Sequence, residues 1–141
     1  MIDRFDLAAA RIMRNEYATE PRPLTPRVLA YVLVAPSIAA ELSAGEGLHG
    51  EPIFDVRFAV LRPDGTTFRL TTRSVSDPPF CSRMAAEEHI NATVQRASRE
   101  APKRTPEEQS IIDDVARGNG RDWAEMHAEL ILDQARAIGT I

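Results

Sequence analysis

The strongest structural signal in the sequence is a run of alternating apolar and polar residues that is interrupted by a tight turn. The apolar positions before and after the turn are Phe54, Val56, Phe58, Val60, Phe68 and Leu70. Because side chains on a strand point alternately to opposite faces of a sheet, this pattern predicts two strands that bury one shared face. The turn at 63–65 has proline, aspartate and glycine in the order that suits a type I turn closed by a left-handed glycine. The sequence therefore predicts a β-hairpin over about 54–73, in which Val60 faces Phe68 and Phe58 faces Leu70.

The opposite face of this hairpin carries three arginines, Arg57, Arg69 and Arg73. The register places Asp55 opposite Arg73, where it neutralises part of the positive charge. Arginines on a sheet face can bind phosphate groups, but proteins that read single strands interleave aromatic residues for base stacking, and this face has threonines instead. A solvated face is therefore predicted, and binding to an acidic protein or to nucleic acid is the alternative.

The elements around the hairpin are predicted from apolar spacing and from capping residues. A first helix is expected over 3–18, capped by Asp3. The segment 27–35 fits either a helix or a strand, and its valines and the proline that follows it favour a buried strand. A short helix is expected over 36–43, and a surface helix with a thin apolar stripe is expected over about 80–98.

The C-terminal third of the sequence predicts a helical hairpin over about 105–138. Thr105 and Glu108 have the spacing of a capping box, and a glycine-containing turn at 118–120 separates the two helices. One broad side of the second helix contains Trp123, Met126, His127, Leu130, Ile131 and Gln134. A helix that is apolar over more than half its circumference is either central in its own domain or shared with a partner. We expect this face to form a homodimer contact, and the alternative is a core helix that packs only within the chain.

The narrow polar side of the same helix carries four acids, Asp122, Glu125, Glu129 and Asp133. Two helices joined by a glycine turn also occur in helix-turn-helix DNA readers. Four carboxylates on the exposed side of a recognition helix would repel phosphates, so an ordinary helical hairpin is the favoured interpretation.

No pair of residues with catalytic or metal-binding chemistry is placed together by local spacing. His127 lies within the apolar side of its helix, which indicates a packed histidine with one hydrogen-bond partner. Cys81 and His89 are eight residues apart on one predicted helix, which is too far for contact. His49 lies in a glycine-rich loop that lacks the lysine and hydroxyl of a phosphate loop. The sequence therefore predicts no catalytic residue, no cofactor and no metal ligand.

The composition limits the class of protein. At 141 residues and 43% hydrophobic content, the chain has the size of one globular domain, predicted to cover 1–141. Its net charge of −4 lacks the positive field that non-specific nucleic-acid binding needs. Cys81 is the single cysteine, so a reducing cytoplasm is expected, and no segment predicts a cleaved signal or a membrane span. All but one of the 17 basic residues are arginine, which is typical of a GC-rich genome, such as a bacterial or phage one.

These patterns predict an α+β fold, with a short antiparallel sheet built around the hairpin, covered by helices and followed by the C-terminal helical hairpin. The function expected from them is that of a small, non-enzymatic protein-binding or regulatory module that self-associates through its C-terminal helix. A nucleic-acid-binding regulator that uses Arg57, Arg69 and Arg73 is the second hypothesis. A small enzyme that uses Cys81 or His49 is the third.

Overall fold

The computed structural model describes residues 5–17, 27–74 and 76–141. Within these ranges the chain forms one antiparallel sheet of four strands, paired in chain order, and five helices. The strands are β1 (Arg27–Ala35), β2 (Ile38–Glu46), β3 (Pro52–Leu61) and β4 (Thr67–Leu70). The helices are α1 (Leu7–Tyr17), α2 (Arg83–Ala97), α3 (Pro106–Asn119), α4 (Arg121–Met126) and α5 (Ala128–Ala137). The predicted α+β fold, with an antiparallel sheet and C-terminal helices, is confirmed.

The predicted hairpin is formed by β3 and β4. Its register is the expected one, because Val60 pairs with Phe68 and Phe58 pairs with Leu70. Gly65 has a φ of 88°, so it occupies the left-handed position that closes the turn. The paired part of β4 ends at Leu70, however, which is shorter than the predicted 54–73 hairpin.

The segment 27–35 forms a strand, as favoured, but the helix expected over 36–43 is wrong. Pro36 and Ser37 make the turn of a second hairpin, and β2 follows it directly. β2 pairs with β1 on one side and with β3 along its whole length on the other. The helix preference of an alanine-rich segment amounts to less than about 1 kcal/mol per residue, and it is overridden here by pairing on both sides.

Helices cover both faces of the sheet. On one face, α2 contributes Ala86 and Ile90 to the main core, which contains Ala30, Val32, Val34, Ile38, Ala40, Leu42, Phe58, Val60 and Leu70 of the strands. On the other face, α1 packs against Tyr31, Ala39 and Ala59. The prediction of one solvated hairpin face is therefore corrected for the end near the turn, where small alanine side chains let α1 approach the sheet.

The helix starts depend on capping side chains. The Asp3 cap predicted for the first helix lies outside the described residues, and the observed cap is Asp6, whose carboxylate accepts hydrogen bonds from the backbone amides of Ala8 (2.9 Å) and Ala9 (3.3 Å). The capping box of α3 is present as predicted. Thr105 accepts from the Glu108 amide at 3.2 Å, and the Glu108 carboxylate accepts from the Thr105 amide at 2.9 Å.

The second helix of the C-terminal hairpin is not continuous, because it breaks at His127 into α4 and α5. His127 has φ −108° and ψ 14°, and its Nδ1 lies 3.0 Å from the Trp123 carbonyl that also accepts its backbone amide at 3.1 Å. The side chain and the backbone amide of His127 thus share one helical carbonyl, and the helix bends where a side chain inserts at such a group. Projecting 122–138 onto one straight helix therefore misplaces the residues before the break.

Candidate functional site

Half of the predicted contact residues of the C-terminal helix pack inside the chain. Trp123 and Met126 of α4 lie against the main core of the sheet, and the Trp123 ring meets Phe68 edge-on at 5.8 Å. Ile131 of α5 packs with the buried residues that join α5 to α3. These three residues are partly buried, and they fix the helical hairpin to the domain.

Two further predicted contact residues, Leu130 and Gln134, lie on the outer side of α5. Leu130 is 56% exposed, and Gln134 is also exposed. Ile138, which follows the helix, is 80% exposed. The acids Glu129 and Asp133 are exposed on the same helix. The outer side of α5 therefore combines exposed apolar side chains with acidic ones.

His127 is half-buried at the break between α4 and α5. Its ring stacks on Trp123, with centroids 4.6 Å apart and planes 23° apart, and its Nδ1 contacts the Trp123 carbonyl. This arrangement matches the predicted packed histidine with one hydrogen-bond partner.

Three of the four acids on the predicted polar side have partners inside the chain: Asp133 pairs with Arg136 of its own helix, and the other two bind distant segments. Asp122 accepts hydrogen bonds from the Ser37 amide (2.8 Å) and hydroxyl (2.7 Å), which ties α4 to the turn between β1 and β2. Glu125 forms an ion pair with Arg104 at 2.7 Å, and the Arg104 side chain is only 4% exposed. The prediction of a uniformly outward acidic side is therefore corrected by the helix break.

A groove runs between the α2–α3 connection and the α4–α5 pair, and we call it the helical groove. It encloses about 690 Å³. One side of it, which we call the basic wall, carries Arg96, Arg99 and Lys103, all exposed and without an ion pair to any described residue. Across the groove lie Leu130 and the exposed acids of α5. The cations of the basic wall and the acids of α5 therefore lie on opposite sides of the groove.

The three arginines predicted on the hairpin face line a second cavity, of about 650 Å³, which we call the arginine cavity. Residues of 71–74 and 76–79 also line it, and Phe80 then pairs with Phe54. Arg57 pairs with Asp55 at 3.1 Å, and Arg73 lies 3.8 Å from Asp77. The predicted Asp55–Arg73 pair is thus wrong, because β4 ends before the strand alternation can reach Arg73.

The charges of the arginine cavity are largely balanced. Arg73 donates to the Pro78 carbonyl at 2.7 Å and lies 4.1 Å above the Phe80 ring, so it is held in place by its own loop. Arg69 is exposed and has no ion pair with the described residues. Three carboxylates, those of Glu46, Asp55 and Asp77, line the same cavity as the three arginines. Only Arg69 therefore offers an unneutralised charge.

A buried polar row on the central strands was missed at the level of sequence. Tyr31, Glu41 and Arg57 are direct neighbours across β1, β2 and β3, and Glu41 is only 4% exposed. Burial raises the pKa of Tyr31 above its usual value, and the nearby Glu41 carboxylate raises it further. The sequence signal was hidden because Glu41 fell in the segment predicted as a short helix.

The other residues considered for catalysis are His89, Cys81 and His49, and they lie in different parts of the chain. His89 has Nε2 2.8 Å from the Thr72 hydroxyl and lies beside the rings of Phe58 and Phe80. Burial lowers the pKa of His89, and the Arg73 charge lowers it further. Cys81 is exposed and precedes α2, and His49 is exposed in the loop after β2. The described residues bring neither of these two to a second catalytic group.

Within the described ranges, no three histidine, cysteine or acidic residues are grouped so that they could hold a metal ion. None of the described helices has both the length and the apolar character needed to cross a membrane. Comparison with protein-family models, with curated proteins and with solved structures found no match to this chain.

Proposed function

We propose that this protein acts by protein contact and self-associates through the outer side of α5. The observation that carries this proposal is the pair of exposed apolar side chains there, with Leu130 at 56% and Ile138 at 80% exposure. The inner side of the same helix already packs within the chain, since Ala128, Leu132 and Ala135 are buried. A non-enzymatic, regulatory role in a reducing cytoplasm belongs to the same proposal, and the exposed free thiol of Cys81 is compatible with it.

A second copy of the chain is the occupant that fits α5 most simply. Leu130, Gln134 and Ile138 follow one another at four-residue spacing, so they form a stripe along one side of the helix. Two such stripes can be related by a two-fold axis, which gives both partners the same contact. The intramolecular packing of Trp123 and Met126 supports the proposal indirectly, because it holds α4, and with it α5, against a rigid core.

The double variant L130D/I138D tests the proposal. We expect the wild-type chain to elute and scatter light at about 31 kDa, twice the 15.6 kDa of one chain. The variant is expected to weaken self-association by about 100-fold or more, because association would bury two unpaired carboxylates on each copy. Sedimentation equilibrium over a range of protein concentrations gives both dissociation constants.

Met84→Asp is the matched control, because Met84 is 70% exposed on α2 and lies away from α5. It should leave the dissociation constant unchanged. Circular dichroism of both variants checks that the fold is retained. A wild-type chain that stays at 15.6 kDa at micromolar concentration would overturn self-association.

Binding of nucleic acid at the arginine cavity is the second candidate function. Arg69 favours it, because this exposed guanidinium has no ion pair with the described residues. The carboxylates that line the same cavity oppose it, since they lower the local positive potential.

The variant Arg69→Ala separates this candidate from the first. If the cavity binds nucleic acid, the variant should reduce a salt-sensitive mobility shift by about tenfold, while self-association stays as in the wild type. Arg117→Ala is the control, because Arg117 is an exposed arginine on α3, on another part of the surface. No shift of wild-type protein at low salt would rule out this candidate.

A further inference from the structure

We propose that the helical groove is the receptor for α5 of a second copy of this chain. This inference rests on the proposed self-association and adds the surface on which the partner helix lies. The groove has the three features that an acidic amphipathic helix requires, namely a positive side, an apolar floor and walls held at a fixed distance. Each feature is formed by described residues of 96–136.

The positive side is the basic wall. Arg96, Arg99 and Lys103 are exposed, and none of them has an ion pair with a described residue. Glu100 is the one acid among the groove residues from 96 to 104, so that side keeps a surplus of positive charge. The other acids that line the groove belong to α3, α4 and α5 and lie across it, so an acidic helix that lies on the basic wall would gain attraction there.

The chain itself contains a helix that matches this wall. On α5, Glu129 is exposed without an ion pair to the described residues, and Asp133 is 73% exposed although it pairs with Arg136. Leu130 is exposed beside Glu129. An α5 that approaches from a second copy therefore brings carboxylates toward the basic wall and one large apolar side chain toward the floor.

The groove lining also includes three small or compact apolar residues, Ala97, Ala101 and Pro102, which we call the apolar floor. Short side chains leave the volume of about 690 Å³ open, which is room for several inserted side chains. Burial of Leu130 from the partner on this floor removes apolar surface from water on both copies.

The two sides of the groove are held together by a buried ion pair. Arg104, at the end of the connection from α2, binds Glu125 of α4 through two contacts of 3.1 and 2.7 Å. The Arg104 side chain is 96% buried, being only 4% exposed. A groove that exists before binding spares the partner the cost of ordering it, which favours association.

The arrangement is reciprocal. α5 lines the groove of its own chain, so a two-fold axis near Leu130 would place each α5 on the basic wall of the other copy. A contact between two α5 helices alone would not involve the basic wall. The charges of the wall therefore distinguish this inference from self-association through α5 in general.

Two charge-reversal variants test the inference. R99E/K103E makes the wall acidic, and E129K/D133K makes α5 basic. Each variant alone is expected to self-associate at least about tenfold more weakly than the wild type, since like charges then meet at both contacts. Mixed in equal amounts, the two variants should associate again as a heterodimer. In it, the reversed wall of one variant meets the reversed α5 of the other, and the unchanged wall meets the unchanged α5. Sedimentation equilibrium and native mass spectrometry measure the dissociation constants and the heterodimer.

R11E/R117E is the control, because it changes the net charge equally at exposed residues of α1 and α3. If R99E/K103E self-associates as strongly as the wild type while L130D/I138D loses self-association, the groove is not the receptor. Self-association through α5 would then still stand. A wild-type monomer would overturn both. If R99E/K103E loses only heparin binding, the wall belongs to a polyanion and the inference is wrong.

Discussion

Removing the Glu125 carboxylate is expected to destabilise the domain by about 3 kcal/mol, one of the largest effects expected for a single residue outside the sheet core. In the variant Glu125→Ala, the Arg104 guanidinium would remain buried with its main counter-charge gone, since its side chain is only 4% exposed. The Gln109 carbonyl oxygen, 3.5 Å away, is too distant and uncharged to replace the carboxylate. The free energy of unfolding from urea denaturation measures the loss.

Asp114→Ala is the matched control for Glu125→Ala. It removes the ion pair between Asp114 and Arg117 on α3, in which both side chains are more than half exposed. An exposed pair of this kind contributes less than about 1 kcal/mol. The double variant R104M/E125L should recover most of the lost stability, because it replaces the buried charges with apolar groups of similar volume. Equal losses for Glu125→Ala and Asp114→Ala would show that the Arg104 pair does not hold the fold.

The same ion pair links stability to the proposed function. Arg104 and Glu125 join the α2–α3 connection to α4, and both residues line the helical groove. A variant that loses this pair should therefore also weaken self-association, whereas R104M/E125L should recover both properties. The charge reversals of the basic wall differ from it, because they alter exposed side chains and leave the buried pair in place.

The hairpin was predictable because its information is local. The alternation of Phe58 and Val60 with their polar neighbours and the turn at 63–65 specify the register without help from the rest of the chain. The capping box of α3 was predictable for the same reason, since Thr105 and Glu108 are three residues apart. A local pattern therefore predicts a hairpin when the pairing strand is close in sequence, and a helix start when the capping group is close in sequence.

The strand β2 was not predictable from its own residues, because the helices that cover it are distant in sequence. Both of its faces are covered by helices, so Ile38, Ala39 and Ala40 are all buried and the alternation that reveals a strand disappears. The break at His127 was missed for a related reason. It lies where the His127 side chain contacts the Trp123 carbonyl, and the apolar spacing of the segment does not reveal that contact.

The candidate site likewise combines residues that the local sequence indicates with residues that only the tertiary structure brings together. The exposed apolar residue Leu130 was predicted as a contact residue, but helical spacing grouped it on one broad side with Trp123 and Ile131, which pack inside the chain. The basic wall was not recognised, because Arg96, Arg99 and Lys103 belong to α2 and to the connection after it. Only tertiary packing brings them across the groove from α5. The partner-binding surface thus depends on two segments that lie about 30 residues apart in sequence.

Two glycines close to the end of α3 should respond in opposite directions to the same substitution. Gly120→Ala is expected to destabilise the domain by about 1–3 kcal/mol, because Gly120 has φ 98° and ψ 151°, a conformation that is essentially restricted to glycine. Space is not the cause, since an added Cβ would lie 3.6 Å from the Leu61 carbonyl oxygen, an ordinary contact distance. The backbone conformation alone makes this position intolerant.

Gly118→Ala is the matched control, because Gly118 lies within α3 and an added Cβ there would meet no other atom within 4 Å. Alanine favours a helix over glycine, so this variant should gain up to about 1 kcal/mol. Gly120 sets the direction in which α4 leaves α3, and that direction brings Asp122 to the Ser37 amide and hydroxyl. The loss in Gly120→Ala should therefore shrink in an Asp122→Asn background, which a double-mutant cycle of urea midpoints measures. Stabilisation by Gly120→Ala would contradict the assigned backbone conformation and, with it, the placement of α4 and α5 on the sheet.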